Sequence, residues 1–253
     1  MIVSVNKALS ILLVLSDYMG SVPLKTIAER TELNKGTCVR LLDTLIESGF
    51  VIKQDYGKYS LGPNAFYIGR HGNFRQNLIN ACKPHVIALN EKYGDTVLVS
   101  IIENYKRYVL YYVEGEIKVY GADNLGGTML RNGAWQSAAG RVIISEYRRD
   151  DLLDFIRHVG LPDKWLGGGN VTGIEELEKR LKAIRIAGHC VIDTIDGKST
   201  GIAVPIRDAV SCSAALGFTY RINKYSKHEC EEIIDDLKQV AAKIGAQIEP
   251  FTD

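Results

Sequence analysis

Lys35, Gly36, Thr37, Arg40 and Thr44 recur at helical spacing along one side of a segment whose other side is Cys38, Leu41, Leu42 and Leu45. That polar side carries donors that suit a nucleic-acid duplex. A lysine and unpaired amides at a helix start bind phosphate, and a threonine bonds to a phosphate or a base edge. A glycine admits close backbone approach, and an arginine reaches far enough to fork onto guanine. Farther along, Lys53 and Lys58 flank a glycine-containing turn and suit neighbouring phosphates. A second candidate group lies beyond residue 130. Ala138-Ala139-Gly140 opens a helical segment with little bulk beside its first amides, which suits either an anion or close helix–sheet packing. Asp193 reads as a partner for a ligand hydroxyl or as a solvated turn residue, and Thr219 lies on an alternating strand with either face open to it. Trp135 and Tyr220 read as core, with an aromatic wall as the other reading.

The elements that must position the first group follow from periodicity. Val5, Ala8, Leu9, Leu12 and Leu15 mark a helix from Ser4, as its cap, to about Tyr18; Gly20 and Ser21 break it. Pro23 begins a short helix with Leu24, Ile27 and Ala28 on one face, ending near Thr31. Asn34 caps the third helix after a tight turn, and Gly49 stops it. The period then changes to two, with residues 50–53 and 58–61 flanking Gln54-Asp55-Tyr56-Gly57 as a hairpin. A bracing helix, a tight turn, a second helix and a hairpin form a winged helix-turn-helix pattern, in which the third helix enters a major groove. Small three-helix units also dock proteins, so a docking module without DNA contact is the alternative.

Gly62-Pro63 punctuates the chain, and a weak helical pattern to Gln76, interrupted at Gly69 and Gly72, reads as a linker. Beyond it, helices are expected over 77–93, 135–147, 150–158, 174–187 and 226–248, with entry to the second through Arg131-Asn132-Gly133. Strands are expected over 96–102, 108–113, 190–195, 202–206 and 214–221. This order gives an α+β fold with one antiparallel or mixed sheet layered with helices.

With 253 residues, 46% of them hydrophobic, 24% charged and 8% aromatic, the composition excludes fibrous and disordered chains. Aliphatic runs such as 11–15 are too short to cross a bilayer, and the first residues show no secretion pattern, so the expected location is the cytoplasm. The net charge of +1 hides an asymmetry: residues 1–75 hold nine Lys/Arg against six Asp/Glu. That surplus sits where a polyanion would bind. The five cysteines have no close pair and read as free buried thiols. No phosphate loop, dinucleotide fingerprint, nucleophile elbow or zinc-protease pair is present, and neither His189-Cys190 nor His228 with Cys230 has zinc-site spacing. The expectation is therefore no catalytic residue, no metal and no cofactor.

Taken together, the runs 4–12, 24–42, 45–51 and Tyr59-Ser60-Leu61-Gly62 resemble the IclR family of bacterial transcriptional regulators. Ser137-Ala138-Ala139-Gly140-Arg141, Ile184-Arg185 with Gly188, and 201–208 extend the resemblance through the carboxyl part. The resemblance implies a winged helix-turn-helix over 1–62, a linker helix over 63–76, and a GAF-like α/β effector-binding domain over 77–253. It also implies a sequence-specific regulator, a repressor in preference to an activator, binding palindromic operators of catabolic operons as a dimer or tetramer. A small-molecule effector, an organic or sugar acid, would control it. The family's pocket maps onto Ala138, Ala139, Gly140, Asp193, Gly201, Gly217 and Thr219. Gly201 and Gly217 stand where several members carry hydroxyl or thiol side chains, which leaves fewer hydrogen bonds for a carboxylate.

Overall fold

The computed structural model describes residues 2–16, 18, 20–70, 75–116, 133–163, 165–194, 197–208 and 211–248. Residues 71–74 of the predicted linker, Arg131-Asn132 before the predicted helix and Ile195 at a predicted strand end lie outside them. The chain separates into two compact units, with the break between residues 70 and 75 of those described.

In the first unit, α1 (Val3–Ser16), α2 (Leu24–Thr31) and α3 (Lys35–Glu47) bury Ile11, Val14, Leu15, Ile27, Cys38, Leu42 and Leu45 against one another. Ser4 lies inside α1 and is not its cap, because the helix begins one residue earlier. Between α2 and α3 the backbone turns at Glu32, whose φ of 55° is left-handed. Asn34 then closes the start of α3 by accepting a hydrogen bond from the Thr37 amide at 2.8 Å. The hairpin β2 (Val51–Gln54) and β3 (Lys58–Leu61) is joined by a third strand, β1 (Val22–Pro23), in the order β1-β3-β2. Val51 and Tyr59 anchor this sheet to the helices. Pro63–Arg70 is a helix, α4.

The second unit is a five-stranded antiparallel sheet in the order β5-β4-β8-β7-β6. Its strands are β4 (Thr96–Glu103), β5 (Lys106–Val113), β6 (Cys190–Asp193), β7 (Ser199–Arg207) and β8 (Cys212–Arg221). Alternation splits each strand between two faces. Val97, Val99, Ile101, Ile202, Val204, Leu216 and Phe218 pack under α5 (Gln76–Tyr93) and α9 (Lys227–Gly245). Cys190, Ile192, Ala203 and Ala215 pack under α6 (Ala138–Ser145), which contributes Ala138, Ala139, Val142 and Ile143. A side cluster built on Trp135, Ile144, Phe155, Trp165 and Leu177 ties α7 (Arg149–Val159) and α8 (Ile174–Ala187) to α6. The helix expected from residue 135 starts at Ala138 because Ser137 is its cap. The gap between the expected strands 96–102 and 108–113 is narrower: Asn104 and Tyr105, with φ of 48° and 62°, make a two-residue hairpin turn, so β5 starts at Lys106.

Candidate nucleic-acid interface and effector pocket

Helix α3 presents Lys35, Gly36 and Arg40 to solvent and Thr37 half-buried. Arg40 has no intramolecular partner among the described residues, so its guanidinium is uncommitted. At the helix start the Thr37 amide is taken by Asn34, which leaves the Lys35 and Gly36 amides to point outward. A methyl group on Gly36 would meet only the Asn34 side chain at 3.6 Å, so the fold does not require a glycine there. Thr44 is less available than its type suggests, because its hydroxyl donates to the Arg40 carbonyl at 3.1 Å.

Thr37, Arg40, Leu41 and Thr44 line a cleft of about 430 Å³ together with Val3, Ser4 and Lys7 of α1. Lys7 is thus a cation beside Arg40 that the sequence reading did not select. The signal for it was only its place one helix away, since nothing in the order of residues ties position 7 to position 40. The hairpin brings its lysines together less well than expected. Lys53 stands opposite Tyr59 and Lys58 opposite Gln54, so the two side chains leave on opposite faces of the wing. Tyr56 at the tip is fully exposed, with a left-handed φ of 59°.

In the second unit, the α6-covered face of the sheet brings together Ala138, Gly201, Gly217 and Thr219. Gly201 pairs with Thr219, which pairs with Thr96, and Gly217 pairs with Ala203 on one side and Leu98 on the other. A methyl group on Gly201 would lie 3.9 Å from the Ala138 Cβ, an ordinary contact, so this glycine leaves room for one methyl group beneath α6. On Gly217 it would come within 2.8 Å of the Leu98 Cδ1, so Leu98 leans over that glycine. Thr219 is half-buried on this face.

Two expectations change. Asp193 pairs with Thr200 and lies on the other face of the sheet, where it accepts a hydrogen bond from the Thr200 hydroxyl at 2.7 Å. It does not converge with Gly201 and Thr219, because their neighbour on β6 is Ile192. The amide of Gly140 is not free: it donates to the Ser137 Oγ at 3.0 Å. A methyl group there would also come closer than 3.0 Å to backbone atoms of Ala134, so helix packing accounts for that glycine. Trp135 is core, donating its ring N–H to the Gly160 carbonyl at 3.1 Å, and Tyr220 belongs to the core under α9.

A larger cleft of about 1100 Å³ opens at the opposite end of the sheet, lined by Tyr105, Glu146, Tyr147, Arg207 and Cys212 among others. None of the residues selected from the sequence lines it. Arg207 is held there by both Glu146 oxygens, at 3.2 and 2.7 Å, so the pair neutralises itself. Among the described residues no cluster of three acid, histidine or thiol groups is placed to hold a metal, and no helix is long and apolar enough to cross a membrane.

Known proteins match both units. Residues 4–55 match the IclR helix-turn-helix domain, and residues 74–246 match the bacterial transcriptional regulator IclR C-terminal domain. An uncharacterized HTH-type transcriptional regulator of Haemophilus influenzae is 27% identical over 94% of this chain and 91% of its own. The transcriptional repressor IclR of Escherichia coli is 24% identical over 62% of this chain and 58% of its own. Among solved structures, an IclR homolog of Microbacterium hydrocarbonoxydans complexed with 4-hydroxybenzoate superposes with a TM-score of 0.72 at 20% identity, covering 96% of this chain and 98% of that one. With the IclR helix-turn-helix model matching one unit and the IclR C-terminal model matching the other, the chain belongs to the IclR family of bacterial transcriptional regulators.

Proposed function

We propose that this chain is a cytoplasmic repressor of a catabolic operon, released from or held on a palindromic operator by a small organic or sugar acid. It has no catalytic role of its own in this reading. The DNA contacts are Lys35, Gly36, Thr37 and Arg40, with Thr44 in support and Lys53 or Lys58 reaching flanking phosphates. The observation that carries this is the uncommitted Arg40 guanidinium on the outer face of α3, next to two outward amides. Such a face costs little to place in a groove, because no intramolecular bond must break first.

The functional division is residues 1–62 for DNA, 63–76 as linker helix and 77–253 for effector. The effector lies between α6 and the sheet, at Ala138, Ala139, Gly201, Gly217 and Thr219. Self-association into dimers, paired into tetramers, is supported by a row of exposed apolar residues on α1, Val5, Leu9 and Leu13, each one helical turn from the next. Effector binding favours one arrangement of the dimer, and the linker helix passes that preference to the spacing of two recognition helices.

The test is binding to the duplex upstream of the chain's own gene, measured against salt. Logarithmic affinity is expected to fall at about −0.9 per phosphate contacted. A flat salt dependence, or no preference among duplexes, would favour the docking-module reading instead.

A further inference from the structure

Gly201 and Gly217 offer no side-chain donor to an acid, so the charge of an effector must be met elsewhere. Arg107 supplies a candidate. It lies on β5 opposite Ile102, which faces α6, and so shares that face of the sheet. Its Nη1 donates to the Ser100 Oγ at 2.9 Å, and Ser100 is fully buried. The Arg107 Nε is sealed from solvent with no hydrogen-bond partner. No carboxylate pairs with this guanidinium among the described residues. Burial alone pulls its pKa down to about 10, so it remains charged at neutral pH. A half-buried guanidinium whose sealed Nε–H makes no hydrogen bond is costly to keep, and proteins seldom carry one without a counter-charge. The Ser100 hydroxyl likewise has no acceptor for its proton among the described residues.

We infer that Arg107 and Ser100 form the anion-binding end of the effector pocket, taking a carboxylate between the Arg107 Nε–H and the Ser100 O–H. Ser100 pairs with Ala215, two residues and about 7 Å along β8 from Gly217. A small acid anchored at Arg107 therefore extends past Leu98, along the α6-covered face, toward Gly201 and Thr219. The assignment rests on reading this unit as an effector binder, and it changes which residues recognise the acid: the charge is held at the β4–β5 side of the sheet, away from the start of α6.

The experiment compares melting temperatures of the full-length protein and Arg107→Met with acetate, pyruvate, gluconate and benzoate, each against its primary amide at equal ionic strength. In the wild type at least one acid is expected to raise the melting temperature by about 5–10 °C at a hundredfold excess over its Kd, while its amide has no effect. Arg107→Met, which removes a half-buried charge that has no carboxylate partner among the described residues, is expected to melt at or above the wild-type temperature without ligand and to lose the response to acid. Arg107→Lys keeps the charge without the fork and should respond only partly. A ligand-free Arg107→Met that melts well below wild type would make the arginine a structural element and overturn the assignment. So would an Arg107→Met that keeps the full response, or a wild type that no acid in the set stabilises over its amide. A wild type that binds no operator while still responding to acid through Arg107 would refute the regulatory reading and leave this site standing.

Discussion

Two glycines on either side of the proposed pocket should respond oppositely to the same added methyl group. At Gly140 the methyl would fall closer than 3.0 Å to the Ala134 carbonyl oxygen, carbonyl carbon and Cα. All three are backbone atoms, so no side-chain rotation relieves the overlap, and α6 must shift away from the segment before it. Overpacking of this kind costs about 1–3 kcal/mol. In a domain of this size each kcal/mol lowers the melting temperature by about 2–4 °C, so Gly140→Ala is expected to melt about 2–12 °C below wild type. At Gly201 the nearest atom to a new methyl is the Ala138 Cβ at 3.9 Å, together with the Ile192 carbonyl oxygen at the same distance. Nothing has to move, and the unfolded chain loses freedom, so Gly201→Ala is expected to gain about 0.4–1 kcal/mol or stay neutral. Its fold is kept while the space over β7 shrinks, and its response to effector should weaken. Differential scanning calorimetry of the two variants, with circular dichroism to confirm secondary structure, reads both effects. If Gly140→Ala melts with the wild type, or if Gly201→Ala loses as much as Gly140→Ala, the assignment of one glycine to close packing and the other to a methyl-sized gap is wrong.

Arg40→Ala should leave the melting curve unchanged and weaken operator binding by about 5- to 150-fold, the worth of one forked base contact; an unchanged affinity in a gel-shift titration would remove Arg40 from the interface. Thr219→Phe should fill the space beside Gly201 and abolish the effector response while operator affinity stays the same, and a normal response would move the pocket elsewhere. Glu176 accepts hydrogen bonds from the Thr172 amide at 3.1 Å, from Arg180 and from the Thr172 hydroxyl at 2.9 Å, which together hold its carboxyl down at about 2. Its folded pKa lies below the unfolded value, so its contribution is complete above the ordinary glutamate range near 4.5 and is lost as pH falls toward 2. Urea midpoints of Glu176→Gln should therefore fall less steeply than those of the wild type between pH 4.5 and 2, and parallel curves would contradict the sign.

The recognition helix was readable from residues because every cue is local. Asn34 caps at three-residue reach, and Cys38, Leu42 and Leu45 repeat at helical spacing. The wing's third strand was not readable, since Val22–Pro23 is too short for any period and forms only by pairing with residues 58 and 59. Faces of the sheet show the same limit. Alternation says that Ile192 and Asp193 point opposite ways, but only the register with Gly201 and Thr200 tells which of them faces α6. The family resemblance mapped the pocket onto Asp193, whereas the register sets that residue on the face away from Gly201 and Thr219. Arg107 was passed over for a related reason: it falls between the expected strands 96–102 and 108–113, and only its register opposite Ile102 sets it on the α6 face beside the buried Ser100.

The five cysteines bear on how the protein can be studied. Burial pushes the Cys82 thiol up to about 12, Cys190 to about 11 and Cys212 to about 12, while Cys38 is enclosed in the first unit's core and Cys230 is hydrogen-bonded to Tyr220. The three thiols raised by burial react slowly with maleimides near neutral pH, and the core encloses Cys38. A fluorophore attached through Tyr56→Cys at the wing tip would therefore be introduced selectively once the half-exposed Cys230 is changed to serine, giving a direct optical ruler between the wing tips of the proposed dimer.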